Sequence, residues 1–272
     1  MKASTGIGIG VAIVGILLSA MMEGTSPAAF INIPAIIIIM AGTGGATLAA
    51  VGMERFKQIP ALYKRVLNAT PQDSVSQVTT LVDLAERARR DGLLALDEQL
   101  GSIEDRFTRT GLQLVVDGTD PDLVREILEA ELDGMEARHR AGAGVFKQAG
   151  GFAPTIGIIG TVMGLVHVLQ NLAAPATLGP AISGAFIATL IGVASANVVF
   201  LPIANRLAEL SKEEVALKAM VVEGVLAIQS GDNPRIVREK LMSFVPPAVR
   251  EAAEEAPAPG PQAVPQPIAE AA

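Results

Sequence analysis

Apolar residues fall into four blocks, and charged sequence separates the second block from the third. Residues 5–22, 30–51, 152–170 and 178–203 contain no Asp, Glu, Lys or Arg. Each is of the length, about 20 residues, that carries an α-helix across a ~30 Å hydrocarbon core. Between the second and third blocks the pattern changes to helical periodicity. A stretch at 58–67 continues the second span as an amphipathic segment, and Pro71-Gln72-Asp73 breaks it with a helix cap. Leu81, Leu84, Ala85 and Ala88 recur at helical spacing over 79–91. Leu93, Leu94, Leu96, Leu100 and Ile103 carry the same period over 93–106, which predicts one further helix. Thr119-Asp120-Pro121 is an N-cap with Pro in the first turn, and it opens a helix over 121–142 that can lead directly into the third span. After the fourth span, helices are predicted over 204–230 and, from Asn233-Pro234, through Phe244.

These elements predict an all-α membrane protein with four transmembrane helices. A helical cytoplasmic region lies between spans two and three, and another follows span four. The expected divisions are 1–51 (spans one and two), 52–150 (cytoplasmic helices), 151–205 (spans three and four), 206–245 (C-terminal cytoplasmic helices) and 246–272. From Pro246 the sequence is rich in Pro, Ala, Glu and Gln, which predicts a disordered tail. The loop 52–150 is small and charged, so it is expected to bury no large core alone and to pack against neighbouring subunits.

Basic residues orient the spans. The connectors at 22–29 and 171–178 carry no Lys or Arg, and all 21 such residues lie elsewhere. Lys2, Arg55, Lys57 and Arg206 flank span ends and place both termini and the long loop on the cytoplasmic side of a bacterial inner membrane, with lipid around the spans. Met1-Lys2 and the following apolar run resemble a signal peptide. The run is long, however, and Ser19-Ala20 is a weak cleavage site, so the segment is expected to be retained.

Composition narrows the chemistry. With no cysteine and two histidines, there is no thiolate metal site and no histidine cluster. The net charge of −7 gives no electrostatic support for nucleic-acid binding. No nucleophile–base set or phosphate-binding loop appears, so no catalytic residue, metal or cofactor is expected and the chain is not read as an enzyme.

The candidate chemistry lies in spans three and four. Thr155, Thr161 and Thr189 place hydroxyls inside uncharged runs. Such a hydroxyl either bonds the carbonyl one turn back in its own helix or lines a path for a small cation. Thr155 and Thr161 differ by about 120° around a helix, so they do not form one narrow stripe. Gly157, Gly160, Gly164 and the small residues 184, 185, 188, 192 and 195 allow close helix approach. Asn197 is expected to bond across helices. Pro154, at the start of span three, and Pro202, at the end of span four, either set boundaries or mark bends at one membrane level. Ion relays need an ionisable group at depth. The spans hold only His167, near one end, so an ion-conducting role requires a partner's acid. Arg87, Arg89, Arg90, Asp91, Asp97 and Glu98 surround Gly92. They are either a solvated helix face or a charged surface for another protein.

Four runs together resemble the MotA flagellar stator family: LAERARRDGLLALDE over 84–98, VVDGTDPDLVRE over 115–126, APTIGIIGTVMGL over 153–165 and EGVLAIQSGDNPR over 223–235. The resemblance covers about residues 1–245. It implies a pentamer of this chain around two copies of a MotB-type partner, which has a single span with an essential Asp and a peptidoglycan-binding domain. Ion flow past that Asp would turn the ring and push on the rotor protein FliG. Arg89 and Arg90 match basic rotor-facing positions. Asp97 matches an acidic one where Glu is commoner, and Glu98 follows it. Pro154 and Pro202 match prolines linked to ion-coupled bending, and Thr155, Thr161 and Thr189 fall in ion-path segments. Ala188-Thr189 stands where sodium-type members often have two threonines, so the implied ion is H+ rather than Na+. The alternatives are an ExbB/TolQ-like proton-channel subunit, which usually has one span before its cytoplasmic region, and a non-conducting membrane scaffold.

Overall fold

A computed structural model describes residues 4–69, 73–173 and 175–255, and among these every regular element is a helix. In chain order, α1 (Ser4–Met22) and α2 (Ile33–Val51) are joined through a 3-10 turn, Pro27–Phe30. Then follow α3 (Met53–Phe56), α4 (Ile59–Leu67), α5 (Ser74–Asp91), a 3-10 turn at Leu93–Leu96, α6 (Asp97–Leu100) and α7 (Arg106–Val116). Next come α8 (Pro121–Gln170), α9 (Pro175–Ala194), a π-helical segment at Ser195–Phe200, α10 (Leu201–Gln229), α11 (Pro234–Met242) and α12 (Pro247–Glu255). Four helical runs are long and apolar enough to cross a membrane, with mean hydropathy between 1.8 and 2.1. They lie in α1, in α2, in α8 and in the run that begins at Leu178 in α9, so the chain is a multi-pass membrane protein.

Local chemistry accounts for the helix ends. Asn32 caps α2 by accepting from Ala35 N at 3.0 Å, and α2 stops at Gly52, whose φ of +80° suits a residue without a Cβ. Asp73 caps α5 through Ser76 N, and Asp105 caps α7 through Thr108 N at 2.8 Å. The helix expected over 93–106 is therefore broken. Gly92 (φ +86°) ends α5, Ser102 Oγ turns back onto Gln99 O, and Asp105 starts a new helix. These local side-chain bonds outcompete the apolar period that suggested continuity. Pro154, at the start of span three, lies inside the 50-residue α8, because the helix opened by Pro121 leads directly into that span, as expected. The tail expected from 246 begins with α12. Its sequence after Pro247, AVREAAEE, is made mostly of good helix formers, and Arg250 Nη2 donates to Val245 O at 3.3 Å. Residues 256–272 of that expected tail, and Pro71 and Gln72 of the break before α5, lie outside the described residues.

The chain divides into two compact units, 1–72 with 130–215 and 73–129 with 216–272. In the second, Val78, Leu81, Leu84, Leu96, Phe107, Leu112, Val115, Val124 and Leu128 are buried together with Met220, Val225, Ile228, Val237 and Leu241. The loop between spans two and three was expected to bury no large core alone, and the core it shares is completed by residues that follow span four. Gly224 sets one approach, since a Cβ there would lie 2.8 Å from Leu81 Cδ1. Two ion-pair sets tie the segments together. Glu223 binds Arg125 at 2.8 Å and Lys240 at 2.5 Å, and Lys218 pairs with Asp105 while lying 5.2 Å above the Phe107 ring.

In the first unit α4 is anchored by Val66, which is buried with Phe146, Ile203, Ala204 and Leu207, and by Arg65–Glu214 at 2.7 Å. The buried residues of α2 are Ala35, Ile39, Thr43 and Thr47, one per turn along a single stripe.

Candidate ion-path site

Small residues bring spans three and four into backbone contact. A Cβ added at Gly164 would lie 2.6 Å from Ala185 Cβ, and one at Gly160 would lie 2.8 Å from Ala188 Cβ. One at Gly157 would lie 3.1 Å from Ala188 O and Thr189 Cα, and one at Gly192 would lie 2.5 Å from Ala153 O. As the number rises on α9 it falls on α8, so the helices run antiparallel with glycine or alanine at each crossing. In hydrocarbon, where burial of apolar surface drives no association, this close packing holds the pair together.

The approach joins two of the three threonines singled out from sequence. Thr161 Oγ1 and Thr189 Oγ1 hydrogen-bond to each other. Thr161 Oγ1 also reaches Ala185 O at 3.0 Å and Gly157 O at 3.2 Å, and Thr189 Oγ1 lies 3.3 Å from Gly157 O. Two hydroxyls and two carbonyls thus form one oxygen cluster, half-buried between the helices. Thr155 is not part of it: the hydroxyl donates to Phe152 O at 2.8 Å on an exposed face. That face continues through Gly151, Ile158, Ile159, Val162 and Val166, which are all exposed among the described residues. Asn197, expected to bond across helices, donates instead to Val193 O of its own helix at 2.9 Å.

Both prolines interrupt helical hydrogen bonding. Pro154 can offer no N–H to Gly150 O inside α8. Pro202 lies two residues beyond the end of the π-helical segment, the wider turn found where the ordinary i−4 bonding is displaced. Sequence reasoning missed this π segment. It also missed Thr43 and Thr47 on α2, although their i,i+4 spacing continues the stripe of Ala35 and Ile39.

The charged cluster lies in the other unit. Arg89, Arg90, Asp97 and Glu98 are all exposed, at the end of α5 and the start of α6 on either side of the Gly92 turn. The Arg90 guanidinium forks onto Asp91, with Nε 3.1 Å from Oδ1 and Nη2 3.1 Å from Oδ2. This hydrogen bond holds Asp91 below its ordinary carboxylate range and raises Arg90. In the second unit's core, the Lys240 hydrogen bond lowers the Glu223 carboxyl against the opposing effect of burial, and Arg125 adds to the lowering. Burial pushes Asp105 up, but bonds from Lys218 and Thr108 and the charge of Lys218 leave it lowered on balance. His139, whose Nδ1 lies 3.2 Å from Ser211 Oγ, is lowered by burial. No group of three or more His, Cys, Asp or Glu capable of holding a metal occurs among the described residues.

This arrangement belongs to a known class of membrane protein. Residues 99–220 match the MotA/TolQ/ExbB proton channel family. Motility protein A of Borreliella burgdorferi is 40% identical over 92% of this chain and 96% of its own length. Motility protein A of Bacillus subtilis is 37% identical over 90% and 92%. Among solved structures, the flagellar MotAB stator complex from Bacillus subtilis superposes with a TM-score of 0.85 at 38% identity, covering 92% of this chain and 98% of the matched one. C. jejuni MotAB superposes at 0.86 with 28% identity, over 90% and 96%. The chain therefore belongs to the MotA/TolQ/ExbB proton channel family, as a flagellar motor stator subunit.

Proposed function

We propose that this subunit couples inward proton flow to torque by forming the ring around a MotB-type partner, whose membrane helix brings the carboxylate that these spans lack. The observation that carries the reading is the uncovered face of span three. It presents Thr155 among exposed apolar side chains, next to a hydroxyl cluster and without any acid or base. An apolar face with one hydroxyl suits a partner helix, and a proton relay needs the ionisable group such a helix supplies. Pro154 and Pro202 are the points at which spans three and four bend as the acid changes charge. Arg89, Arg90, Asp97 and Glu98 form the exposed charged surface that meets the rotor protein FliG. Five copies around two partners is the assembly proposed, in the bacterial inner membrane with both termini cytoplasmic, since the basic residues near span ends favour that side.

Protons are favoured over sodium because Ala188 is buried against Gly160 and adds no oxygen to the Thr161–Thr189 cluster. A dehydrated sodium ion needs more oxygen ligands than two hydroxyls and two carbonyls. Co-expression with the partner in a cell lacking its own stator tests the reading. Swimming is expected to be restored, to track the proton gradient and to ignore external sodium. Sodium-dependent swimming would overturn the ion assignment, and failure to restore swimming would overturn the coupling itself.

A further inference from the structure

Two threonine hydroxyls on span two are buried without any partner. Thr43 and Thr47 are 3% and 1% exposed, and neither Oγ1 has a hydrogen-bond partner among the described residues. Threonines elsewhere in these helices satisfy themselves by turning back onto their own backbone. Thr79 bonds Val75 O, Thr80 bonds Ser76 O, Thr155 bonds Phe152 O and Thr161 bonds Gly157 O. Thr43 and Thr47 have the carbonyls of Ile39 and Thr43 one turn back and do not use them. Both side chains are instead buried in the packed interior of the first unit.

The register of α2 shows what lies there. Asn32 Nδ2 meets Gly184, Ala35 is buried with Ile187 and Ala188, and Ile39 Cδ1 meets Gly192. Numbers rise together on the two helices, so α2 and span four run parallel with a constant offset. One and two turns further on, Thr43 falls at the level of Ala196 and Thr47 at the level of Phe200, inside the π-helical segment. Against span three the numbers run oppositely, with Ile38 beside Gly160 and Gly42 beside Ile156. The same extension sets Thr43 and Thr47 at the level of 151–155. Gly150 confirms the match, because a Cβ there would lie 3.5 Å from Phe200 Cβ.

Two unpaired hydroxyls therefore sit at the level of backbone carbonyls to which a proline can offer no helical N–H. Pro154 gives no N–H to Gly150 O, and Pro202 gives none to the carbonyls of Asn197 and Val198. Buried, unpaired hydroxyls at the level of carbonyls that a proline leaves without an N–H are the condition under which proteins bind internal water. On the far side of the same bend span one leaves an open, mostly apolar groove of about 410 Å³, in which Thr5 and Asn197 stand beside Pro202.

We propose that Thr43 and Thr47 bind water between span two and the proline-interrupted turns of spans three and four, a hydration site distinct from the Thr161–Thr189 cluster. Water at this place satisfies both sets of groups in more than one helix geometry, because it can reorient while a direct hydrogen bond would break. The two threonines are thus positioning residues for the bend rather than members of the ion path. The existence of the site does not depend on ion flow; its part in the motor cycle rests on the stator reading above.

The test uses the full chain in complex with its partner. A high-resolution density map is expected to show water within hydrogen-bonding distance, about 2.7–3.2 Å, of Thr43 Oγ1 and Thr47 Oγ1. This water is expected to vanish in the isosteric Thr43→Val/Thr47→Val protein and to remain in Thr43→Ser/Thr47→Ser. A map with both hydroxyls turned back onto Ile39 O and Thr43 O, and no solvent density, overturns the site. At equal membrane abundance, the valine pair is expected to slow flagellar rotation by a factor on the order of five, the factor given by one hydrogen bond's net contribution, and the serine pair is expected to restore it. Unchanged rotation in the valine pair overturns the positioning role. If the wild-type complex turns no rotor, the stator reading fails while the map still decides the water site.

Discussion

Thr161 and Thr189 are hydrogen-bonded to each other through their hydroxyl oxygens, one on span three and the other on span four. The contact exists because Gly157 and Gly192 let the two backbones meet. Replacing Thr189 with Val keeps the volume and removes one oxygen, while Thr161 retains Gly157 O and Ala185 O. The expected loss of packing energy is small, on the order of 1 kcal/mol. Assembly with the partner should persist while rotation falls, as measured by membrane abundance and tethered-cell speed on the same strain. Full-speed rotation would remove Thr189 from the ion path.

Gly192→Ala tests the packing itself. Its new Cβ would lie 2.5 Å from Ala153 O, a backbone atom that can move only if the helices separate. Overpacking of this kind costs about 1–3 kcal/mol. A lower thermal midpoint in detergent and reduced membrane abundance are expected. Gly179→Ala, where nothing lies within 4 Å, should leave both unchanged.

Pro154→Ala supplies the missing N–H for Gly150 O within α8 and should stiffen the helix. Membrane insertion and partner binding are expected to be unaffected while swimming is strongly reduced. Normal swimming would count against a bend at this proline.

The Glu223 pairs with Arg125 and Lys240 make the second unit's stability depend on pH. Because the folded carboxyl is held below its ordinary value, the contribution is fully present above the unfolded range, about pH 4. It is lost as pH falls through the lower folded value. Glu223→Gln should therefore be less stable than the parent at pH 7 and should approach it in acid. A parallel offset between the two proteins at every pH, followed by thermal unfolding, would show that the charge is not the cause.

Much of the architecture was legible because long uncharged runs have few other uses, and caps such as Asn233 and Asp73 mark their helices locally. What escaped depends on neighbours. Helical periodicity identified the buried faces of Leu81 and Leu84 but could not say that Val225 and Leu241, far along the chain, complete their core. The period over 93–106 gave no weight to the capping strength of Asp105. In the candidate site, the hydroxyls of Thr161 and Thr189 were visible as types, whereas their meeting follows from glycines on two helices at once. Asn197 was expected to reach a neighbour and found its own Val193 carbonyl first. The π-helical segment before Pro202 was not announced by any local pattern, since a proline alone does not specify it.

Ion flux into vesicles tests the central claim most directly. Vesicles carrying this chain alone should hold an imposed proton gradient, because its spans contain no carboxylate and their one histidine, His167, lies near one end of span three. Vesicles carrying the chain with its single-span partner should pass protons once the channel is opened, and should stop doing so when the partner's membrane carboxylate is made an amide. Proton passage by the chain alone, at the rate of the complex, would contradict the account.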